Sequence, residues 1–327
     1  MALYFRPRTI HVPGSHLKNI HYVRSYRDAN NISEISVGKK VVILGSSFIA
    51  MEAASFLKNK ANNVTVVGRS RVPFENILGN EIGSRIMALF ESKGVVFHMN
   101  HEVERFQGND EQEITGIHFK NSTAILPVDV CVVGIGIYYS ISNHSKTNFI
   151  FKGTQTDTEY LKHTGVDLDA QGHVVVDSYM QTCLKHVFAG GDIVSFPLHG
   201  KRSTVGHWQM AQSQGRVAAL NVLGIETQLN TVPYFWSMFF GKGLRFAGHT
   251  DNVKDPVITG DVDNFKFTAY FFTGSKVSAV ASMGQDEVPA MFANLSKDGL
   301  SLSEEEVRRD PLEWIRVYKE GSQVTRF

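Results

Sequence analysis

The chain has 327 residues, 33 Lys and Arg against 32 Asp and Glu, and a formal net charge of +1, with 43% hydrophobic and 20% charged residues. That length leaves room for two or three domains with cores of their own, and the balanced charge gives no electrostatic case for nucleic acid or an anionic membrane as a partner. No apolar run reaches the roughly 18 residues of a membrane-spanning helix, and Met1 to Pro13 lacks the apolar core of a signal peptide.

The elements alternate along the chain. Val41 to Leu44 is a short apolar strand, and Phe48 to Lys60 carries Ile49, Ala53, Phe56 and Leu57 at helical spacing. Val64 to Val67 is a second strand. Glu81 to Lys93 reads as a helix with Ile82, Ile86, Leu89 and Phe90 on one face, and Val95 to Met99 as a third strand. This β-α-β-α-β order predicts a parallel sheet with helices on its faces. Glu102 to Phe106 and Ile114 to Phe119 suggest an antiparallel excursion, and Val130 to Val133 returns as a buried strand ending in Gly134-Ile135-Gly136. Ile137 to Asp157, rich in Ser, Asn, Thr and Lys, reads as a loop or insertion. Val174 to Val176 and Val187 to Ala189 are candidate strands. His207 to Leu223 is a helix with Met210, Val217 and Leu220 inward. From about Pro233 aromatic residues crowd and β-rich runs follow, which marks a separate α+β domain containing a charged helical stretch at Ser303 to Arg308.

Three stretches carry chemistry. After Val41 to Leu44 comes Gly45-Ser46-Ser47-Phe48-Ile49-Ala50-Met51-Glu52. A dinucleotide-binding turn needs Gly for its tight bend, a small residue where the backbone meets the pyrophosphate, and a third small residue for close helix packing. Gly45 and Ala50 satisfy the first and third, while Ser47 stands where a second Gly is usual. The helix start then offers N–H groups and a partial positive charge to phosphates. The plainer alternative is a strand-helix turn with no ligand. At the end of the next strand, Gly68 and Arg69 replace the Asp or Glu that selects NAD. Gly68 leaves room and Arg69 could pair with a 2′-phosphate, so NADP, or no preference, is expected, against an ordinary exposed arginine. Thr182 to Asp192 reads as a hydrophobic strand ending in Gly190-Gly191-Asp192. Cys131 and Cys183 lie too far apart for a CxxC pair or a metal cluster. They read as small buried hydrophobes and suit a reducing intracellular compartment, cytoplasmic or mitochondrial.

On Gly38 through Glu52, Val64 through Phe74, Asp129 through Gly136, Thr182 through Asp192, His207 through Ala219 and Pro233 through Trp236, the chain resembles the pyridine nucleotide-disulfide oxidoreductase superfamily. The likeness lies in the ferredoxin-reductase-like branch, nearest its apoptosis-inducing factor-like group, and it covers nearly all of the chain except Ile137 to Asp157. The resemblance implies an α/β fold, with a Rossmann-like NAD(P)-binding domain (38–140) inserted in a FAD-binding domain. Residues 1–37 would be a remnant of that flavin domain and 159–232 its second part. Residues 141–158 would be an insertion and 233–327 a C-terminal reductase-type domain. It implies that Gly45, Ser47, Phe48, Ala50 and Glu52 border the nicotinamide nucleotide, with Gly134 and Gly136 closing over it. It further implies that Gly191 and Asp192 bind the flavin chain, and that His207, Trp208 and Trp236 sit by the flavin ring. No catalytic residue is implied.

Family members open with a further strand-glycine-helix unit that grips FAD, and nothing of that kind precedes Gly38. The flavin domain is therefore expected to be incomplete, with FAD weakly held or not retained. No Rieske Cys and His pairs are present, so no metal is assigned. The expected activity is that of a FAD-dependent NAD(P)H oxidoreductase delivering electrons to an unidentified acceptor. The alternative is a non-catalytic nucleotide-binding or interaction protein. A homodimer is compatible with either, and a short-chain dehydrogenase is disfavoured by the lack of a Tyr-x-x-x-Lys pair.

Overall fold

The computed structural model describes residues 6–7, 9–135, 154–155, 158–198, 200–250, 253 and 255–324. Gly136, and the Ile137 to Asp157 stretch apart from Thr154–Gln155, lie outside the described residues. The described residues form two compact units, one within 7–138 and 237–242, the other within 139–236 and 243–327 plus the start of the chain.

The first unit is built on five parallel strands. In chain order its elements are β1 (Ile20–Tyr22), α1 (Tyr26–Ile35), β2 (Lys40–Leu44), α2 (Phe48–Leu57), β3 (Asn63–Val67), α3 (Glu75–Ser92), β4 (Val96–His98), β5 (Val103–Gly108), β6 (Ile114–Phe119), β7 (Ser122–Pro127) and β8 (Val130–Val133). The spatial order is β1-β8-β2-β3-β4, and β5-β6-β7 is a separate antiparallel sheet. The central strands are apolar runs because both faces are covered. Val42, Leu44, Cys131 and Val133 pack with Val103, Phe106, Ile117 and Phe119 of the antiparallel sheet. From the helices, Met51, Ala54, Leu57, Ile82, Ile86 and Phe90 are fully buried.

Register decides what meets at the carboxyl edge. Leu44 lies opposite both Val133 and Val67, and Val67 lies opposite His98. The next residue of each strand therefore falls in one row: Gly134, Gly45, Gly68 and Met99. Ligands of open α/β sheets bind at this edge.

The second unit holds a small sheet, β9 (Val174–Val175), β10 (Val194–Leu198) and β11 (Lys201–Ser203), with α4 (Trp208–Val222). Met180, Val194, Phe196, Met210 and Val217 form its core. Five further strands form an antiparallel sheet: β12 (Tyr234–Phe239), β13 (Lys242–Gly248), β14 (Val257–Asp261), β15 (Lys266–Thr273) and β16 (Lys276–Met283), in the order β12-β13-β16-β15-β14. Helices α5 (Glu287–Lys297), α6 (Glu304–Arg309) and α7 (Glu313–Val324) pack on it through Phe292, Val307 and Trp314. The tip of the β12-β13 hairpin, 237–242, belongs to the first unit.

Several sequence expectations need correction. The buried face of α2 is Phe48, Ala50, Met51, Ala54 and Leu57, whereas Ile49 and Phe56 are exposed. Almost every residue of α2 is apolar, so periodicity could not choose its face. The outward Phe56 ring is instead capped by the Lys60 ammonium, 5.0 Å from its centroid. Val187 to Ala189 is not a strand; one bridge, Gln181 to Phe188, stands there. Met180 and His186 both adopt left-handed φ values, 64° and 63°, and fold the segment into turns. Cys183 is exposed, with only Cys131 buried.

Candidate functional site

At the carboxyl edge of the parallel sheet the backbone is packed too closely for side chains. Gly45 has φ +111°, and a Cβ there would collide with the carbonyl of Gly134. A Cβ on Gly134 would in turn lie 2.9 Å from the Cβ of Ala50. Two further bonds hold the junction: Gly45 N–H donates to Val67 at 2.8 Å and Gly134 N–H to Leu44 at 2.7 Å. Three small residues thus let β2, β8 and the first turn of α2 meet backbone to backbone. This is the requirement on which the dinucleotide reading of the sequence rested.

Ser47 is the N-cap of α2, in extended conformation, but its hydroxyl caps no helix amide. It points to the Gly134 carbonyl at 3.5 Å instead. With no acidic residue in the first turn, the helix start keeps its positive end for an incoming anion. Phe48 turns its ring inward, against Phe74 at 4.6 Å between centroids. Only its backbone is placed to border a ligand.

Glu52 stands one turn further along α2. Its Oε1 accepts the Ser237 hydroxyl at 2.5 Å. The side chain is exposed, yet the protein around the carboxyl raises its pKa by desolvation, with the Ser237 hydrogen bond pulling it down. The hairpin tip is fixed from two sides. Phe240 N–H donates to the Ser55 hydroxyl at 3.0 Å, and Phe239 and Phe240 pack against Phe90 at 5.7 and 4.8 Å.

At Gly68 the space that the sequence left open is taken. An ideal Cβ would sit 2.7 Å from Met99 Cε and 3.0 Å from Ser46 Oγ. The loop is tied to its neighbours by Gly68 N–H to His98 at 3.0 Å, His101 N–H to Gly68 at 3.0 Å and Asn100 N–H to Ser70 at 3.1 Å. Ser46 and Ser70 share a hydroxyl contact at 3.2 Å, and Arg69 is exposed beside them. Sequence reasoning missed Met99, Ser46 and Ser70; only strand register brings Met99 beside Gly68.

The second unit holds the other predicted residues. Gly191 has φ +89° and donates its N–H to Gln214 Oε1 at 2.7 Å. A Cβ on Gly190 would press on Gln214 and the α4 backbone at 3.2 to 3.4 Å. Gln214 is fully buried and its Nε2 has no hydrogen-bond partner. The sequence signal for it was a polar residue at helical spacing between Met210 and Val217. Asp192 follows, half-buried. His207 is the N-cap of α4, its pKa lowered by burial. Trp208 and Trp236 are exposed and meet edge to face at 6.0 Å, and the His207 ring lies 6.2 Å from Phe235. The predicted residues thus divide into a set around Gly45 in one unit and a set around Gly191 in the other. Among the described residues no group of three or more His, Cys, Asp or Glu is placed to hold a metal ion. No helix among them is long and apolar enough to cross a membrane.

Comparison with known proteins bears on both sets. A profile of the pyridine nucleotide-disulphide oxidoreductase family matches residues 2–215, and a reductase C-terminal profile matches residues 234–313. The chain is 36% identical to apoptosis-inducing factor 3 of Homo sapiens over 304 residues, 92% of this chain and 47% of that protein. It thus spans about half the length of that relative. It is 28% identical to rhodocoxin reductase of Rhodococcus erythropolis, over 87% of this chain and 62% of that protein. Among solved structures, the ferredoxin reductase for the CYP199A2 system of Rhodopseudomonas palustris superposes with a TM-score of 0.79. That likeness comes at 23% identity and covers 92% of this chain and 70% of that one, and it shows the shared fold.

Proposed function

The chain belongs to the pyridine nucleotide-disulphide oxidoreductase family, and from that premise we propose that it acts as a FAD-dependent NAD(P)H oxidoreductase. Its reaction would take electrons from NAD(P)H and deliver them to an acceptor. The observation that carries this reading is the Gly45, Gly134 and Ala50 junction, where close backbone packing leaves an uncapped helix start at the carboxyl edge of a parallel sheet.

In this reading Gly45, Ser47, Ala50 and the backbone of Phe48 hold the nucleotide pyrophosphate. Glu52 and Gly134 border the nicotinamide end, with Gly136 following, and Gly68 and Arg69 meet the adenosine ribose. In the other unit, the left-handed Gly191 and the unpartnered amide of Gln214 suit a bound flavin chain held with Asp192. His207, Trp208 and Trp236 would line its ring. FAD, when bound, accepts a hydride and releases electrons singly or in pairs. The chain's own residues supply binding, alignment and shielding from water. We assign the nucleotide domain to 38–140, flavin-domain segments to 1–37 and 159–232, and a reductase-type domain to 233–327.

The acceptor is taken to be a ferredoxin-type protein, on the strength of the structural neighbour that bears that name. Two unpaired cysteines, Cys131 and Cys183, favour a reducing compartment within the cell.

The test is an absorbance scan of the purified protein for flavin, followed by NAD(P)H oxidation with ferricyanide, with and without added FAD. Turnover that depends on FAD is expected. Nucleotide binding with no turnover at saturating FAD would favour a non-catalytic nucleotide-binding protein. Failure to bind either cofactor would remove the proposal.

A further inference from the structure

A glutamate on a helix surface must give up the freedom of several side-chain torsions before its carboxyl can meet a ligand in one place. On α2 that cost is met within the protein. The Ser237 hydroxyl, only 2% exposed, donates to Glu52 Oε1 at 2.5 Å. Three residues further on, the same hairpin tip meets α2 again, where Phe240 N–H donates to the Ser55 hydroxyl at 3.0 Å. Residues three apart share one face of a helix. Residues 52 and 55 therefore meet 237 and 240 in step, and the tip runs alongside α2 for one turn.

Apolar contacts hold the tip as well. The buried Phe239 ring lies 5.5 Å from Phe74 and 5.7 Å from Phe90, and the Phe240 ring lies 4.8 Å from Phe90. Phe74 stands at a left-handed φ of 58° and donates its N–H to the Ser46 carbonyl at 3.1 Å, inside the Gly45 turn. Such a φ is costly for a bulky residue and persists only where the packing around it is firm. The tip thus braces both the turn and the helix that follows it. Among the described residues Glu52 Oε2 takes no hydrogen bond, so the anchored carboxyl keeps one oxygen to accept from a ligand amide. Burial raises the Glu52 pKa and the Ser237 bond opposes the rise, so the bond also favours the charged form. Resting on the reading above, in which Glu52 borders the nicotinamide end, we propose that Ser237 is a positioning residue of the nucleotide site. It fixes the carboxyl that the nicotinamide half of the nucleotide meets, so that the hairpin tip, and not the sheet edge alone, sets how tightly that half is held.

Calorimetric titration of the full chain reads this without turnover. The probes are NAD⁺ and NADP⁺, each paired with its nicotinamide-free counterpart, ADP-ribose and 2′-phospho-ADP-ribose. The proteins are the wild type, Ser237→Ala, Glu52→Ala and the double variant. One net hydrogen bond corresponds to roughly three- to tenfold in affinity. Ser237→Ala is expected to weaken by that factor whichever dinucleotide the wild type binds tighter, and to leave its nicotinamide-free counterpart within about twofold. In the Glu52→Ala background, Ser237→Ala adds nothing, because the hydroxyl acts through the carboxyl. In the wild type, the dinucleotide slows hydrogen exchange over residues 237–242 more than the nicotinamide-free probe does, a reading that stands even if a variant fails to fold. Equal weakening of both probes by Ser237→Ala, weakening of neither, a loss that persists in Glu52→Ala, or equal slowing of exchange by both probes overturns the role of Ser237 and leaves a nucleotide site in place. Binding of no probe by the wild type overturns the nucleotide-site reading as well.

Discussion

Ser237 donates its hydroxyl hydrogen to Glu52 at 2.5 Å, although the two residues are 185 positions apart in the chain. The bond ties the hairpin tip of the β12-β13 pair to the helix that follows the Gly45 turn. Desolvation raises the Glu52 pKa and this bond opposes the rise. A carboxyl whose folded pKa is raised binds more protons in the native state than in the unfolded one. Its cost to stability is therefore absent below the unfolded pKa and grows as pH rises through the folded value. Ser237→Ala removes the opposing bond. It should lower stability at neutral pH by about 1 kcal/mol and by less at about pH 4, where the carboxyl is protonated. Denaturant unfolding of both proteins at the two pH values measures this; an equal loss at both would show that the bond does not depend on the Glu52 charge.

Gly45 and Gly134 should tolerate no side chain. Gly45→Ala combines a strained φ of +111° with a clash on the Gly134 carbonyl, and Gly134→Ala drives a methyl against Ala50. Each should cost about 1–3 kcal/mol of stability. Nucleotide affinity should fall as β8 and α2 are pushed apart. Thermal melting together with a nucleotide titration reads both effects, and an alanine variant with unchanged melting and unchanged affinity would contradict the packing described.

Gln214 acts on the glycine pair from beneath. Gln214→Leu keeps the volume and removes the acceptor for Gly191 N–H, which leaves a donor unpaired at a cost of about 1–3 kcal/mol. Hydrogen exchange at Gly191 should accelerate more than at neighbouring amides. Wild-type protection at Gly191 in the variant would mean that another group holds this turn.

Tyr270 marks the alkaline limit of the second unit. Its hydroxyl donates to the Pro311 carbonyl at 2.7 Å and accepts from Trp314 Nε1 at 3.2 Å, and burial pushes its pKa up to about 12. The unfolded tyrosine ionises near its ordinary value of 10.0. Between these values the native state holds a proton that the unfolded state has lost, so stability falls with rising pH across that window. Tyr270→Phe should be less stable at neutral pH by about 1 kcal/mol, and it should lose less on going above about pH 10. Urea unfolding at neutral and alkaline pH tests the sign. A steeper alkaline loss in the variant would refute it.

How much of this was written in the sequence depends on the residue. Strands β2, β3 and β8 were legible because fully buried parallel strands are short unbroken apolar runs, and the Gly45 turn because its spacing before Ala50 is dictated by close packing. Helix α1 was not, since only Ile32 in it is buried and it carries little apolar stripe; its signal was the capping box of Ser25 and Asp28. Strand β7 lacked an apolar pattern for the same reason, being mostly exposed. The turns at Met180 and His186 put side-chain residues where Gly or Asn would normally announce a positive φ. Residues that act by register, such as Met99 beside Gly68, or by long-range contact, such as Ser237 on Glu52, become visible only once the sheet is assembled.

We propose that the carboxyl edge around Gly45 is a nicotinamide-nucleotide site. Hydrogen–deuterium exchange of the whole chain, with and without saturating NADP⁺, tests it most directly. Protection is expected in the peptides covering Ser46 to Met51, Gly68 to Ser70 and Gly134. Unchanged exchange in all three, or protection confined to the antiparallel sheet and its helices from Lys266 to Glu320, would contradict a nucleotide site at this edge.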